Sequence, residues 1–80
     1  MYFVYIIQSV KTNRYYIGYT NNIENRLAHH NSGASTYTRK YRPWVLVYSE
    51  KFPDKISAWK RERQIKLFKG GNAFKKLLEI

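Results

Sequence analysis

Two aromatic and β-branched runs near the start of the chain limit its fold more than any other feature. Residues 2–8, YFVYIIQ, and residues 15–20, YYIGYT, each have the composition and length of a strand. The segment between them contains Thr12 and Asn13, which favour turns through local side-chain hydrogen bonds. Two strands this close together predict a β-hairpin.

The pattern becomes helical after the second strand. Asn21 followed three residues later by Glu24 has the spacing of a capping box, with Asn21 as the N-cap. We predict a helix over residues 22–31, ended by Gly33, because glycine accepts the left-handed conformation beyond a helix C-terminus. The residues that recur at helical intervals are Ile23, Leu27 and His30.

The remaining segments complete a small α+β fold. Residues 33–43 are polar and basic and predict a surface loop, and residues 44–50, WVLVYSE, predict a third strand. Asp54 is the expected cap of a second helix over residues 54–68, which the glycines at 70 and 71 end. Asn72 then caps a short last helix, whose apolar face is Phe74, Leu77 and Leu78. We therefore expect a single domain over residues 1–80, a three-stranded antiparallel sheet with flanking helices in the order β-β-α-β-α-α.

Charge indicates the class of partner. The 80 residues include 15 Lys and Arg against 5 Asp and Glu, a formal net charge of +10. Such an excess favours a polyanion. Cysteine is absent, which excludes disulfide frameworks, cysteine-ligated metal sites and thiol nucleophiles.

The apolar runs are short. None approaches the ~20 residues of a membrane span, and the first ten residues lack the basic leader and cleavage site of a signal peptide. We expect a soluble, cytoplasmic protein with no membrane partner. The sequence does not indicate its oligomeric state.

The tyrosines of the hairpin carry a family resemblance. There are eight tyrosines in the chain, and any one alone is most simply a half-buried strand residue. Together, the triplets FVY (residues 3–5) and YIG (residues 16–18), with ten residues between their tyrosines, resemble the GIY-YIG nuclease domain. The similarity is greatest to its small stand-alone bacterial UvrC/YhbQ-like (UPF0213-type) group. Phe3 stands where the family has its leading glycine, and Tyr19 stands where some relatives carry lysine.

Two downstream segments extend the resemblance. TNNIENRLAHHNSG is similar to the family helix that carries an arginine, here Arg26, with His30 one turn later. AWKRERQIK resembles the family segment in which a glutamate, here Glu62, binds a divalent metal. The resemblance implies a nuclease that uses one Mg²⁺ or Mn²⁺ ion held by Glu62, with Gly18 as a structural motif residue. The implied catalytic residues are Tyr5, Tyr16, Arg26, His30 and Glu62.

Glu62 also stands out from the residues alone. It lies on the Ala58–Glu62–Ile65 stripe, whose i, i+4, i+7 spacing predicts an inward face. An inward carboxylate needs a partner, and a structural ion pair with a neighbouring lysine or arginine is one interpretation. Metal binding is the other, because Mg²⁺ is commonly held by one carboxylate together with waters and a substrate phosphate.

Arg26 and His30 are four residues apart and can face one spot on the sheet. Arg26 can stabilise charge on a phosphate in the transition state, or it can belong to a solvated helix face. His30 can hydrogen-bond a tyrosine or the leaving oxygen, or it can be a helix-end residue favoured by the helix dipole. A phenol of pKa about 10 is a poor base, but a nearby metal ion and arginine make its phenolate more accessible. We favour Tyr5 as the base and Tyr16 as a residue that positions water or phosphate. The sequence alone leaves open which of the two tyrosines takes which role.

The other cations predict a nucleic-acid surface. They lie in the loop and on the second helix, with Tyr37, Tyr41 and Trp44 interleaved for possible base stacking. Considered alone, such cations usually form a solvated face. The predicted nucleic-acid-binding residues are Tyr19, Arg39, Lys40, Arg42, Arg61, Arg63 and Lys66, and Lys60 and Lys69 add to the same charge.

These observations predict a metal-dependent DNA endonuclease acting on branched, damaged or single-strand-containing DNA, with RNA not excluded. One alternative is a DNA- or RNA-binding module on the same scaffold without catalysis. The other is a basic protein of a membrane surface or the ribosome, anchored by its second and third helices. Dependence on Mg²⁺ distinguishes the nuclease from the binding module.

Overall fold

The structure is a computed structural model that describes residues 1–69 and 71–79. Its elements are β1 (Tyr2–Ser9), β2 (Tyr15–Thr20), α1 (Ile23–Ser32), a 3₁₀ helix (Thr38–Tyr41), β3 (Trp44–Phe52), α2 (Lys55–Leu67) and α3 (Asn72–Leu78). The predicted order β-β-α-β-α-α and the three-stranded antiparallel sheet are confirmed.

β1 is the central strand, with β2 and β3 antiparallel on either side of it. Pairing with β2 sets Tyr5 opposite Gly18 and Ile7 opposite Tyr16. Residues alternate between the faces of a sheet, so Tyr5, Tyr16 and Gly18 share one face. The hairpin therefore brings the two predicted triplets side by side.

Each face of the sheet has its own apolar cluster. On one face, Val4, Ile6 and Ile17 pack with Ala58 and Ile65 of α2 and with Phe74 of α3. On the other, Tyr5, Ile7 and Trp44 pack with partly buried residues that include Ile23 and Leu27 of α1. The two helices that carry predicted site residues thus cover opposite faces of a thin sheet.

The beginning of α1 corrects the predicted capping box. The N-cap is Asn22, not Asn21: its backbone is extended, and its side-chain oxygen accepts a hydrogen bond from the Asn25 amide at 3.0 Å. Glu24 is then the second helical residue, one position too early to close the box. The predicted end is confirmed, since Gly33 has a φ of 86°.

The predicted loop over residues 33–43 is more structured than expected. It contains the 3₁₀ helix, in which Thr38 is fully buried and accepts a 2.9 Å hydrogen bond at its carbonyl from the Trp44 indole. The Asn31 side chain also bonds the Trp44 backbone amide and carbonyl, at 2.6 and 3.0 Å. These contacts between distant residues hold one side of the segment against the sheet.

The structure also shows where β3 ends and where α2 and α3 begin. β3 extends to Phe52, two residues beyond the prediction, and Asp54 caps α2 as predicted, accepting from the Ser57 amide at 2.8 Å. Asn72 is not the cap of α3: the N-cap is Gly71, no side-chain cap bond forms, and Asn72 is the first helical residue. Gly70, a predicted helix breaker, lies outside the described residues. Within residues 1–69 and 71–79, none of the helices combines the length and apolar character needed to cross a bilayer.

Candidate functional site

Tyr5 is the buried centre of the candidate site. It is 4% exposed and lies across Gly18, its partner on β2. A Cβ atom at position 18 would lie 2.6 Å from the Tyr5 hydroxyl oxygen and 2.8 Å from the adjacent ring carbon. Such distances are too short for any side chain, so glycine at position 18 makes room for the Tyr5 hydroxyl.

A chain of hydrogen bonds extends from Tyr5 into α1 and the 3₁₀ helix. The Tyr5 hydroxyl lies 3.0 Å from Nε2 of His30, and Nδ1 of His30 lies 2.8 Å from the Thr38 hydroxyl. His30 is 2% exposed. The Tyr16 ring is also adjacent, with its centroid 4.9 Å from that of His30 and 6.4 Å from that of Tyr5.

The environment keeps both groups neutral near pH 7. Burial, reinforced by Tyr16, raises the pKa of the Tyr5 phenol, and this outweighs the opposite effect of Arg26. Burial, with the positive charge of Arg26, lowers the pKa of His30 to about 4. The protein by itself thus opposes the phenolate that the sequence suggested would become accessible. His30 lies in the last turn of α1, as the helix-end interpretation had it, and its ring is buried and hydrogen-bonded to Tyr5 and Thr38.

A cavity of about 440 Å³ brings the predicted residues together. It is lined by residues 16–21, which alternate between the two faces of the sheet, and so it follows the edge of β2. Both sheet faces are reached at this edge, which explains how residues from either side meet there. The predicted site residues that line it are Tyr5, Tyr16, Gly18, Tyr19, Arg26, Glu62 and Lys66. His30 is hydrogen-bonded to Tyr5, which lines the cavity.

Glu62 faces inward, as the stripe predicted, and is 9% exposed between the fully buried Ala58 and Ile65. Its Oε1 lies 2.8 Å from Nζ of Lys66, one turn along α2. The side chain of Lys66 is 54% exposed and can swing into solvent. The structure therefore contains the ion pair of one interpretation, on a carboxylate that also lines the cavity.

The donor set around Glu62 fits a weakly held hard cation. No cluster of three or more His, Cys, Asp or Glu side chains exists within the part of the chain that the structure describes. Mg²⁺ does not require one, because it keeps several waters and commonly uses one or two carboxylates with substrate phosphate. A single carboxylate beside an open polar cavity, with a mobile lysine as the competing charge, is compatible with that requirement.

Some of the predicted nucleic-acid-binding residues are exposed, and others bond to or lie against neighbouring residues. Arg39 and Lys40 are exposed on the 3₁₀ helix, and the Arg42 guanidinium lies against Gly33. Arg61 is committed to β3: its guanidinium donates to Glu50 at 2.9–3.2 Å, which joins α2 to the sheet. Arg63 lies over the Trp59 ring, 5.0 Å from the centroid. The Arg61 charge is thus neutralised locally, and its contribution to a phosphate surface is reduced.

The sequence reasoning missed two residues of the site. Thr38 was read as part of a surface loop, yet it is buried against His30, and no local signal distinguishes it from its neighbours. Lys55 lines the same cavity as Glu62. Their i, i+7 spacing on α2 puts both on one helix face, and this signal was available in the sequence.

Three comparisons place these residues among known proteins. A family model described as the GIY-YIG catalytic domain matches residues 1–73, which include every residue of the cavity. A UPF0213 protein of Staphylococcus haemolyticus is 48% identical over 68 residues, 84% of this chain and 82% of the relative. A UPF0213 protein of the archaeon Natronomonas pharaonis is 41% identical over 66 residues, 81% of this chain and 76% of the relative.

The fold also has a solved counterpart. The solution NMR structure of a UPF0213 protein from Bacillus halodurans superposes with a TM-score of 0.52 at 35% sequence identity. The match covers 88% of this chain and 76% of that protein. The sequence and structure comparisons therefore agree over nearly all of the described chain.

Proposed function

The chain belongs to the GIY-YIG catalytic domain family and to its UPF0213 group, and from this membership we propose that it is a divalent-metal-dependent endonuclease that hydrolyses phosphodiester bonds in DNA. The observation that carries the proposal is the single cavity lined by Tyr5, Tyr16, Arg26 and Glu62. A proton acceptor, a cation and a carboxylate at one phosphate-sized concavity are the groups that phosphodiester hydrolysis requires.

The hydrogen bonds around His30 supply a path for a proton. A neutral imidazole has one N–H, so when Nδ1 donates to Thr38, Nε2 accepts from the Tyr5 hydroxyl. In the proposed reaction, the water oxygen forms a bond to phosphorus while a water proton passes to the Tyr5 oxygen. The Tyr5 proton passes to His30. The bond from phosphorus to the leaving oxygen breaks, and the leaving oxygen takes the bonding electron pair and is then protonated from solvent. No free phenolate forms, which agrees with the raised pKa of Tyr5.

Substrate binding favours this transfer. The positive charge of Arg26 helps to lower the pKa of His30, and a phosphate anion in the cavity offsets that charge. The histidine then becomes a better proton acceptor when substrate is present. Arg26 itself stabilises charge that develops on the non-bridging oxygens, and Tyr16 positions water or phosphate beside Tyr5.

Glu62 is the proposed ligand of one Mg²⁺ or Mn²⁺ ion. Such an ion supplies charge stabilisation at the phosphate oxygens when bound. Release of Lys66 from Glu62 leaves its ammonium free to contact the nucleic-acid backbone, so the ion pair and the metal site are alternative states of one carboxylate. We place the nucleic-acid backbone along the exposed cations of the 3₁₀ helix and α2.

Branched, damaged or single-strand-containing DNA is the proposed substrate class, and RNA is the second arm of any test. The cytoplasmic location expected from the sequence stays a prediction.

A second candidate function is nucleic-acid binding without catalysis on the same scaffold. The Glu62–Lys66 contact at 2.8 Å favours it, because a lysine already neutralises the proposed metal ligand. In that case Glu62 stays paired with Lys66, and divalent ions have no effect on nucleic-acid binding.

The test is cleavage of labelled duplex, flap, Y-form and Holliday-junction DNA, and of RNA, with Mg²⁺, with Mn²⁺ and with chelator. We expect metal-dependent cleavage by the wild-type protein and none by Glu62→Gln, while Glu24→Gln, an exposed glutamate on α1, cleaves normally. Circular dichroism should be the same for all three proteins, and Glu62→Gln should bind DNA no more weakly than the wild type, because the substitution releases Lys66. Unfolding of Glu62→Gln, or cleavage by it at the wild-type rate, would contradict the metal assignment.

Tyr5→Phe tests the base in the same assay. It keeps the ring that packs over Gly18 and removes the hydroxyl, so we expect the cleavage rate to fall by roughly a hundredfold or more with little change in DNA affinity. A normal rate for Tyr5→Phe would show that Tyr5 is not the base and would leave Tyr16 as the candidate for that role.

A further inference from the structure

A second, apolar groove adjoins the cavity. It has a volume of about 280 Å³ and is lined by Tyr19, Lys55, Ile56 and Trp59. Tyr19 and Lys55 also line the main cavity, so the two concavities share a wall. A ligand bound in the main cavity therefore has its neighbouring chemical group beside the apolar groove.

Two large side chains of this groove are exposed without serving the core. Ile56 is 65% exposed and Trp59 is 42% exposed, whereas α2 contacts the sheet through the buried residues Ala58, Glu62 and Ile65. Trp59 belongs to neither apolar cluster of the sheet and lies beside the main cavity, so its exposed ring adds nothing to core packing. Its position therefore indicates a ligand with an apolar surface.

The surroundings of Trp59 indicate an aromatic group attached to an anion. The Arg63 guanidinium lies over the Trp59 ring, 5.0 Å from its centroid, and Trp59 as a whole is 42% exposed. Lys55 lies in the groove wall, and Lys60 follows Trp59 along the exposed side of α2. Cations at the border of an aromatic surface match a nucleotide, whose base is flat and whose phosphate is charged.

We propose that the groove binds an unstacked nucleobase of the strand whose neighbouring phosphate lies in the main cavity, with Trp59 as the stacking platform. This inference rests on the proposed function and adds the part of the substrate that the cavity does not reach. Stacking does not read base identity, because every base has a π-face. The site thus selects a strand with an unpaired base beside the cut.

The test measures binding in chelator, where no cleavage is required. The probe is a fluorescein-labelled single-stranded oligothymidylate, and the readout is fluorescence anisotropy with wild type, Trp59→Ala, Trp59→Phe and Leu67→Ala. Leu67 is a matched control, because it is an 88% exposed apolar residue of the same helix outside the groove. We expect Trp59→Ala to bind about tenfold more weakly, Trp59→Phe to keep most of the affinity and Leu67→Ala to bind normally.

A second probe, the same oligomer with abasic nucleotides, isolates the base. Wild type and Trp59→Ala should bind it equally, and the salt dependence of both should match because the substitution removes no charge. Equal affinity of wild type and Trp59→Ala for the normal oligomer overturns the proposal. A changed oligomeric state of Trp59→Ala in light scattering, with unchanged affinity, assigns the groove to a second copy of the chain instead. Absence of all nucleic-acid binding by the wild type contradicts the proposed function itself, so the two failures are distinguishable.

Discussion

His30 is a buried titratable group whose protonation opposes folding. Its pKa is lowered from 6.5 to about 4, first by burial and then by the charges of Arg26 and His29. Between these two values the unfolded chain binds more protons at this residue than the folded chain does. The contribution of neutral His30 to stability is therefore complete above pH 6.5 and is lost as the pH falls toward 4.

We predict that acidification from pH 6.5 to 4 lowers the free energy of unfolding through His30. The expected loss is on the order of 2 kcal/mol. Urea denaturation at a series of pH values measures it, with His30→Gln as the matched variant, since glutamine can bond Tyr5 and Thr38 but does not titrate. Carboxylates such as Glu50, whose pKa is lowered in the fold, contribute to both proteins and cancel in the difference. Identical pH dependence of the two proteins would show that His30 is not the titrating group.

Thr38 is a single buried residue that connects several parts of the molecule. Its hydroxyl bonds His30 and its carbonyl bonds the Trp44 indole, so one buried residue couples the 3₁₀ helix to both the site and the second apolar cluster. Residues 33–43, which the sequence predicted as a surface loop that contacts nucleic acid, thus also hold His30 in the proposed proton path through Thr38.

At the scale of elements, the start of α1 determines where Arg26 and His30 point. Helix register is set by the first residue whose side chain caps the free amides, and that residue is Asn22. Thr20 contributes from β2, because its hydroxyl bonds both the amide and the carbonyl of Asn22, at 3.1 and 3.3 Å. The connection between strand and helix is thus ordered by two polar side chains.

We predict that Asn22→Ala lowers the free energy of unfolding by about 1 kcal/mol, the usual cost of losing an N-cap. Asn21→Ala is the matched control, since Asn21 is exposed and is the cap that the capping-box spacing suggested. Urea denaturation at neutral pH measures both. Equal destabilisation by the two substitutions, or a larger effect of Asn21→Ala, would contradict the assignment of the cap.

A second tie between elements involves α2 and β3. Arg61 bonds Glu50, and the Tyr48 hydroxyl donates to the same carboxylate. The pair lowers the pKa of Glu50 and raises that of Arg61, each through the hydrogen bonds between them. This partly buried network joins α2, the helix that carries Glu62, to β3, so Arg61 supports the site through its hydrogen bonds to Glu50.

At the scale of the whole molecule, charge dominates association. The net charge of +10 belongs to a body with principal extents of only 28 × 28 × 18 Å. Binding to a polyanion should therefore release condensed counterions, and the logarithm of affinity should fall linearly with the logarithm of salt concentration.

We predict that Arg39→Gln and Lys40→Gln each reduce this slope by about 1, because each removes one exposed phosphate contact. Lys75→Gln on α3 removes the same charge from a helix that carries none of the predicted nucleic-acid-binding residues, and its slope should match the wild type. Anisotropy titrations of a DNA oligomer at several salt concentrations give the slopes. Equal slopes for all variants would mean that the 3₁₀ helix is an ordinary solvated face.

The local patterns of the chain determined its elements. Hydrophobic spacing and capping-residue type are short-range properties. Together they correctly predicted the hairpin, the three helices, the cap at Asp54 and the inward stripe through Glu62. The family motifs were likewise readable, because Tyr5, Gly18 and Glu62 each occupy a position in a recognisable segment.

Only the tertiary structure decided which side chains are committed and which are available. Arg61 and Arg63 are both cations of one helix, yet one bonds Glu50 and the other lies on Trp59. Thr38 is buried and is hydrogen-bonded to His30 and Trp44, which belong to two other elements. Glu62 lines the same cavity as the tyrosines at the edge of β2, although α2 and α1 cover opposite faces of the sheet. Burial and pairing depend on which surfaces meet after the chain folds, and local spacing carries no information about them.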